Sequence, residues 1–475
     1  MDEEKLLFDM AARSAEKRLV LIASRLDESS DRERIPSDFF LRAASAARGQ
    51  LAGYNDLQEE KIPGLRSVRL DSPAPAEKEV AVDEAEIRLR LVTAFAPGGR
   101  VLEALAELEP QRLRGPKAFD HARWKGALTP FDGRLQDPAL VRWIAASFGP
   151  SAGPVSVSGL EEYARCPYLF FLKRALGLKK WEEVESAEGM EPQHRGQAIH
   201  EILEKFLQEF AGDRILGAAR QALFASLDRH ARQRLNEARP AGIPDLLWEI
   251  EQDRLLEMLH NWLDYELSRL QDGLLPSYFE LPFGDFSPKQ KSPAYRVETG
   301  NFVFDFRGRI DRLDLSRDGT RARVLDYKVG SLPSTITGKP KTPLMGGEKM
   351  QIAVYRGALS ALPEFSAVRE VRGEYLHLQP KDGATAPCSL DAEVLAEAID
   401  HLPAVLEVIG EGIEGGVFFA RTSGSVRPGG HCEFCDYLTI CGKDRTQREE
   451  RKSGDPAVSR FVQMRMVDGL LEEEE

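Results

Sequence analysis

Cysteine is scarce in this chain, with five in 475 residues. That is too few for a disulfide framework, and it leaves ligation as the expected use of any that cluster. No apolar run approaches the roughly eighteen residues of a membrane span, so no membrane attachment is expected. No G-x-x-x-x-G-K-[ST] loop occurs, so nothing would cradle a nucleotide's phosphates and no ATPase activity is expected. The opening MDEEKLLFDM is acidic where an export signal is basic, which predicts a cytoplasmic protein. Positive charge is outnumbered too: 64 Lys and Arg against 77 Asp and Glu give a net −13, which argues against a generic nucleic-acid coat. The sign is uneven, however. RLRGPKAFDHARWKG and FFLKRALGLKK are basic, and a local patch rather than the total decides phosphate binding.

What is present is an ordinary globular composition, 42% hydrophobic, in a chain too long for one core. The pattern divides it at 1–150, 151–450 and an acidic tail at 451–475. EEKLLFDMAARSAEKRL has helical spacing, and LVLIAS reads as a short buried strand. Residues 53–87 read as a linker, and about 87 to 147 as helix broken by Pro and Gly. Ser158 followed by Glu161 has the spacing of a capping box, which predicts a helix from Ser158 to near Pro167. Long helices are expected over 196–270, strands over 294–329, and a loop over 331–349. A helix, the strand GEYLHLQP and a further helix near 391–412 complete the pattern. Strands set among helices predict an α/β domain.

The informative stretch is FVFDFRGRIDRLDLSRDGTRARVLDYKVG, residues 302–330, two β-rich runs around Asp318-Gly319. Asp-Gly between such runs is a strong hairpin signal. A turn there sets Asp311 opposite Asp326, with Lys328 two residues on and so on the same face. The other face collects Phe306, Ile310, Leu325, Tyr327 and Val329 and is expected to be apolar. Two aspartates so close repel unless a cation sits between them or one takes up a proton. Hard oxygen ligands suit Mg²⁺ or Mn²⁺, and a neighbouring lysine suits water or a phosphate oxygen. The bland alternative is a solvated cross-strand pair. Elsewhere, His200 edges the apolar stripe Ile199, Leu203, Phe206 and Phe210, and Gln351 and Tyr355 share one helix face. Cys432, Cys435 and Cys441 are spaced C-x2-C-x5-C, one ligand short of a four-thiolate site. Such a site takes zinc or iron–sulfur.

RGQAIHEILE, GRIDRLDL, VLDYKVG and QIAVYRGAL, in that order, resemble the motifs of the PD-(D/E)XK nuclease superfamily, in particular its RecB-like, AddB-type branch. The resemblance extends to VSVSGLEEYARCPYLFFLKRALGL and to the cysteine segment. It implies a restriction-endonuclease-like core, a central mixed sheet flanked by helices, with helical insertions and a cysteine-ligated clasp at the C-terminal end. It implies that His200, Asp311, Asp326 and the Tyr327 carbonyl hold Mg²⁺ or Mn²⁺. Lys328 would serve water or phosphate, and Gln351 and Tyr355 would position DNA. It further implies that Cys166 is the missing ligand and that Cys166, Cys432, Cys435 and Cys441 hold a [4Fe-4S] cluster, with zinc as the alternative. Tyr168, Lys173 and Arg174 are expected to guide a strand, or else to pack as a helix beside the cluster. The N-terminal region resembles the last motif of superfamily-1 helicases, but with Ser14 where those motors carry an arginine. It therefore reads as a remnant without an ATP site, and any motor would be a separate subunit. The implied activity is a metal-dependent DNA nuclease, an exonuclease on single strands or unwound ends. The alternatives are a non-catalytic DNA-binding subunit and a cluster-bearing redox protein.

Overall fold

The computed structural model describes residues 2–17, 19–27, 32–33, 36–58, 62–65, 67, 122–179, 189–284, 292–330, 344–379, 384–422, 430–433, 435–442 and 445–467. The chain forms two compact units, Met1–Lys117 and Ala118–Glu475. Residues 118–150 therefore group with the C-terminal unit, not with the N-terminal region.

In the first unit, α1 (Asp2–Arg13), α2 (Asp38–Arg48) and α3 (Tyr54–Gln58) are the described helices. The expected strand LVLIAS does not form: Leu19 to Ser24 are irregular and Ile22 is 91% exposed. An apolar run becomes a strand only where a neighbour takes its hydrogen bonds, and none of the described residues does so here. The expected helix over 87–147 lies largely outside the described residues.

The second unit is built on a seven-stranded sheet. Its strands are β1 (Val155–Ser156), β2 (Leu274–Phe283), β3 (Tyr295–Glu298), β4 (Val303–Ser316), β5 (Arg321–Val329), β6 (Glu370–Leu378) and β7 (Thr385–Leu390). The order is β1-β4-β5-β6-β7, with β2 and β3 also paired to β4. β1 lies parallel to β4 and β5 parallel to β6, while the remaining pairs are antiparallel. This is a mixed α/β sheet, as the sequence predicts.

Helices cover both faces. One core joins α4 (Pro138–Phe148), α5 (Val157–Arg165), α9 (Gln351–Ala361), α10 (Ala392–Glu414) and α12 (Pro456–Val467) to the sheet through Ile144, Tyr163, Phe304, Val324, Val354 and Phe461. The other joins α6 (Pro192–Glu209), α7 (Arg220–Glu237) and α8 (Asp245–Arg269) to it through Phe206, Leu227, Trp262, Tyr327 and Leu376. Between α9 and β3 the approach is close enough to require glycine: a Cβ on Gly357 would lie 2.1 Å from the Tyr295 ring.

The acidic tail expected from 451 is a correction. α11 (Arg445–Lys452) and α12 occupy 445–467, because Val458, Phe461 and Met464 form a stripe that buries against the core. The helix expected from Ser158 begins at Val157 and ends at Arg165. Its capping box does not form, because Glu161 is buried and its carboxylate is engaged elsewhere.

Glu348, just before α9, ties this C-terminal part down. Its carboxylate accepts from Arg421 Nη1 at 2.8 Å and from Arg465 Nη1, on α12, at 2.7 Å. Burial disfavours the charge, but Arg421 and Arg465 outweigh it and bring the pKa from 4.5 to about 2. A depressed carboxylate stabilises the fold above its unfolded pKa, and that contribution is lost as pH falls from about 4.5 towards about 2. Glu348→Gln should therefore cost about 1–3 kcal/mol at pH 7 and little near pH 2. Denaturant titrations at the two pH values measure the difference.

Candidate active site

The hairpin register matches the sequence expectation. Arg312 pairs with Leu325 and Leu315 with Ala322, as a turn centred on Asp318-Gly319 requires. Gly319 has φ +69°, the left-handed conformation that such a turn needs. The described β4–β5 ladder ends at Arg312/Leu325, and Asp311 and Asp326 are the next residues on each strand. β4 stays paired with β2 from Ser316 to Gly308 and then meets β3 and β1, but its ladder with β5 stops, leaving a notch beside β5.

The notch exposes the Tyr327 backbone, whose N–H and C=O would otherwise lack partners. Asp311 Oδ2 accepts from Tyr327 N at 2.9 Å, and His200 Nε2 lies 3.0 Å from Tyr327 O. His200 Nδ1 is 3.5 Å from Asp311 Oδ2. The histidine comes from α6, whose Ile199, Ile202, Leu203 and Phe206 are buried and so fix the helix against the sheet.

Sequence reasoning missed one donor. Glu280 of β2 brings a carboxylate oxygen to His200 and Asp311, all three ligand atoms lying within 4.8 Å of one another. Glu280 has φ +47°, a strained conformation for a side-chain-bearing residue and one that recurs at functional sites. The only hint in SYFELPF is a charge in the middle of an apolar strand. Its partners are long-range and have no sequence signature.

Asp326 is 1% exposed. Its Oδ2 forms an ion pair with Lys328 Nζ at 2.5 Å. Burial, then the Asp326 charge, push the Asp311 carboxyl well above the usual range. Burial lowers His200, so the ring is neutral near pH 7 and a lone pair is available. Burial works against the Lys328 ammonium, but Asp326 and Glu161 outweigh it and keep its pKa above the ordinary value. Crowded carboxylates, a neutral imidazole and the adjacent Tyr327 carbonyl are a donor set that fits a hard divalent cation.

Lys328 Nζ also donates to Gln351 Oε1 at 2.8 Å, and Gln351 Nε2 lies 3.4 Å from the Tyr355 hydroxyl. The start of α9 is held by Glu161, whose Oε1 accepts from Met350 N at 2.6 Å and from Gln351 N at 3.0 Å. Glu161, read from sequence as capping its own helix, thus caps the helix that carries Gln351 and Tyr355. Its spacing signals a cap, and the tertiary fold decides which helix receives it.

The face expected to be apolar is a further correction. Phe306 and Ile310 join one core, Tyr327 and Val329 the other, because the strands part at the notch. The stretch between carries a buried ion network. Arg312, fully buried, reaches Glu266 at 2.5 Å, Asp314 at 2.6 Å and the Tyr327 hydroxyl at 3.0 Å. Arg323, directly opposite Asp314 on β5, meets its Oδ2 at 2.7 Å.

Cys166, Cys432, Cys435 and Cys441 gather in one region. Burial, then the neighbouring Cys166 thiol, push Cys441 up to about 11, with Cys432 and Cys435 contributing. The His431 ring lies beside Cys166 and Cys432, and its Nε2 is 3.2 Å from Arg421 O. Tyr437 donates to Leu178 O at 2.7 Å and Arg421 to Arg165 O at 2.7 Å, so the segment lies against the region around Cys166. Of the residues expected to guide a strand, Lys173 and Arg174 each meet Glu162 at 2.6 Å. Tyr168 lines a small cavity with Cys441 and Arg123. Cys388 is buried on β7, away from any such set.

A mixed sheet between two helical layers, with adjacent strands bringing two aspartates and a lysine to one notch, defines the restriction-endonuclease-like class of α/β fold. The chain belongs to the PD-(D/E)XK nuclease superfamily, whose sequence profile matches residues 154–442. Members of this superfamily use divalent metals. Among similar curated proteins is a subunit of the ATP-dependent helicase/deoxyribonuclease of Moorella thermoacetica, 30% identical over 246 residues. The corresponding subunit of Clostridium tetani is 24% identical over 226 residues, and that of Acetivibrio thermocellus 27% identical over 239. These matches cover 49%, 46% and 47% of this chain but only 20%, 18% and 19% of the relatives. The chain thus matches about a fifth of their length. No described helix is long and apolar enough to cross a membrane.

Proposed function

We propose that this protein is a metal-dependent deoxyribonuclease that hydrolyses phosphodiester bonds, acting as an exonuclease on single strands or unwound ends. The observation that carries the reading is the notch where His200, Asp311 and the Tyr327 carbonyl meet, with Asp326 and Lys328 alongside. His200, Asp311, Asp326, the Tyr327 carbonyl and Glu280 would hold Mg²⁺ or Mn²⁺. When bound, the ion supplies a Lewis acid for a phosphate oxygen and a more acidic water. Lys328, paired with Asp326, would serve the attacking water or stabilise charge gathering on the phosphate. Gln351 fixes the ammonium of Lys328 and links it to Tyr355. The decisive experiment is digestion of end-labelled single- and double-stranded DNA with Mg²⁺, Mn²⁺ or EDTA. Metal-dependent release of mononucleotides or short products from single strands is expected. An absence of cleavage with either metal would refute the reading.

We read the four cysteines as ligands of a [4Fe-4S] cluster that fastens the C-terminal segment to the start of the domain. Cys435 and Cys441 crowd against Cys166 and Cys432, which suits a centre that takes several thiolates at once. Zinc is the rival occupant. Protein purified without oxygen should be brown and carry iron, and a colourless protein with one zinc would favour the rival. The names of the similar proteins, subunits of an ATP-dependent helicase/deoxyribonuclease, support a DNA substrate and a helicase partner; we infer DNA repair or recombination in the cytoplasm as the setting, beside a separate superfamily-1 helicase subunit.

A further inference from the structure

One cation beside the notch has no part in that chemistry. Lys349 lies just before α9, in a turn closed by Lys349 N to Leu344 O at 3.1 Å. Its Nζ sits 5.3 Å from the centroid of the Tyr375 ring, and Lys328 Nζ sits 5.9 Å from the same centroid. Tyr375 is the β6 neighbour of Asp326, and His377 that of Lys328. Lys349 therefore reaches over the sheet face that carries the notch. The charged groups that act on it are Lys328, Glu161, Asp326 and Arg165, and it in turn acts on His377.

The two lysines differ in what holds them. Lys328 is fixed by Asp326 and Gln351. Among the described residues no ion pair or hydrogen bond engages the Lys349 ammonium, and Glu161 is committed to the start of α9. Burial and then Lys328 lower the Lys349 pKa, so holding this charge here is unfavourable until an anion joins it. His377, brought to about 4 by burial and Lys349, is neutral at pH 7 and does not compete for that anion.

We propose that Lys349 is a second cationic contact to the substrate's sugar-phosphate backbone, holding a phosphate of the bound single strand beside the one that Lys328 serves. This rests on the nuclease reading. The test uses the full-length protein and a fluorescent oligodeoxythymidine, with binding measured in Ca²⁺ across a salt series and cleavage in Mg²⁺. Lys349→Met should raise KM roughly five- to tenfold and reduce the slope of log K against log salt by about 0.7, one phosphate contact. Lys349→Arg should restore both, and a melting curve verifies that each variant is folded. Wild-type cleavage with KM and salt slope unchanged in folded Lys349→Met, whatever happens to kcat, overturns this inference alone. A wild type that neither binds nor cleaves overturns the nuclease reading and this inference with it.

Discussion

Lys328→Ala is expected to lower the rate of phosphodiester cleavage by about 10²–10³-fold, the usual effect of removing one preorganised donor to a transition-state oxygen. Its neighbours make the result specific. Lys328 Nζ is held by Asp326 at 2.5 Å and by Gln351 at 2.8 Å, so the ammonium is fixed before any substrate arrives. Alanine removes the cation and leaves Asp311, His200 and Glu280 in place, so metal uptake should survive. The loss should therefore appear in kcat, with metal affinity changed little. Asp326→Ala should differ, losing cleavage together with metal affinity. Single-turnover kinetics across a Mg²⁺ titration separates the two. A Lys328→Ala enzyme that cleaves at the wild-type rate would remove the lysine from the chemistry.

Arg312→Ala is expected to be the most damaging substitution to the fold itself. Arg312 has no solvent exposure, and it neutralises Glu266 and Asp314, which are equally buried. Burial alone would raise Glu266, yet the Arg312 charge brings it to about 2. Removing one partner of such a network leaves uncompensated charge in the interior and costs about 3–5 kcal/mol. Arg312 also donates to the Tyr327 hydroxyl, and the Tyr327 backbone meets Asp311 and His200. The variant should therefore disturb the notch as well. Chemical denaturation of wild type and Arg312→Ala gives the cost. A change under about 1 kcal/mol would mean that Arg269 and Arg323 suffice to compensate Glu266 and Asp314.

Much of the site was legible because a hairpin is local. Once Asp318-Gly319 makes the turn, strand geometry alone carries Asp311 and Asp326 to neighbouring positions and sets Lys328 on the Asp326 face. The helix of His200 and the pair Gln351 and Tyr355 were legible from apolar spacing. Glu280 was not, since its place beside His200 and Asp311 depends on β2 pairing with β4 across a long insertion. The assignment of Phe306, Ile310, Tyr327 and Val329 to one apolar face failed for a related reason. It assumed a ladder that continues, whereas the β4–β5 ladder ends at Arg312/Leu325. Residues 451–467 were read from their charge, but the stripe of Val458, Phe461 and Met464 decides their fate.

By itself the sequence determined what short-range geometry can carry: the hairpin register, the helices, and the spacing of Cys432, Cys435 and Cys441. Tertiary structure decided what depends on where separate elements meet. It made Glu161 the cap of α9, buried Arg312 among carboxylates, added Glu280 to the notch and set the Lys349 ammonium over the Tyr375 ring with no ion pair among the described residues. The physical reason is common to all four. A buried charge or an unpaired backbone group takes whichever partner the packed fold brings within reach, and distance along the chain says little about that.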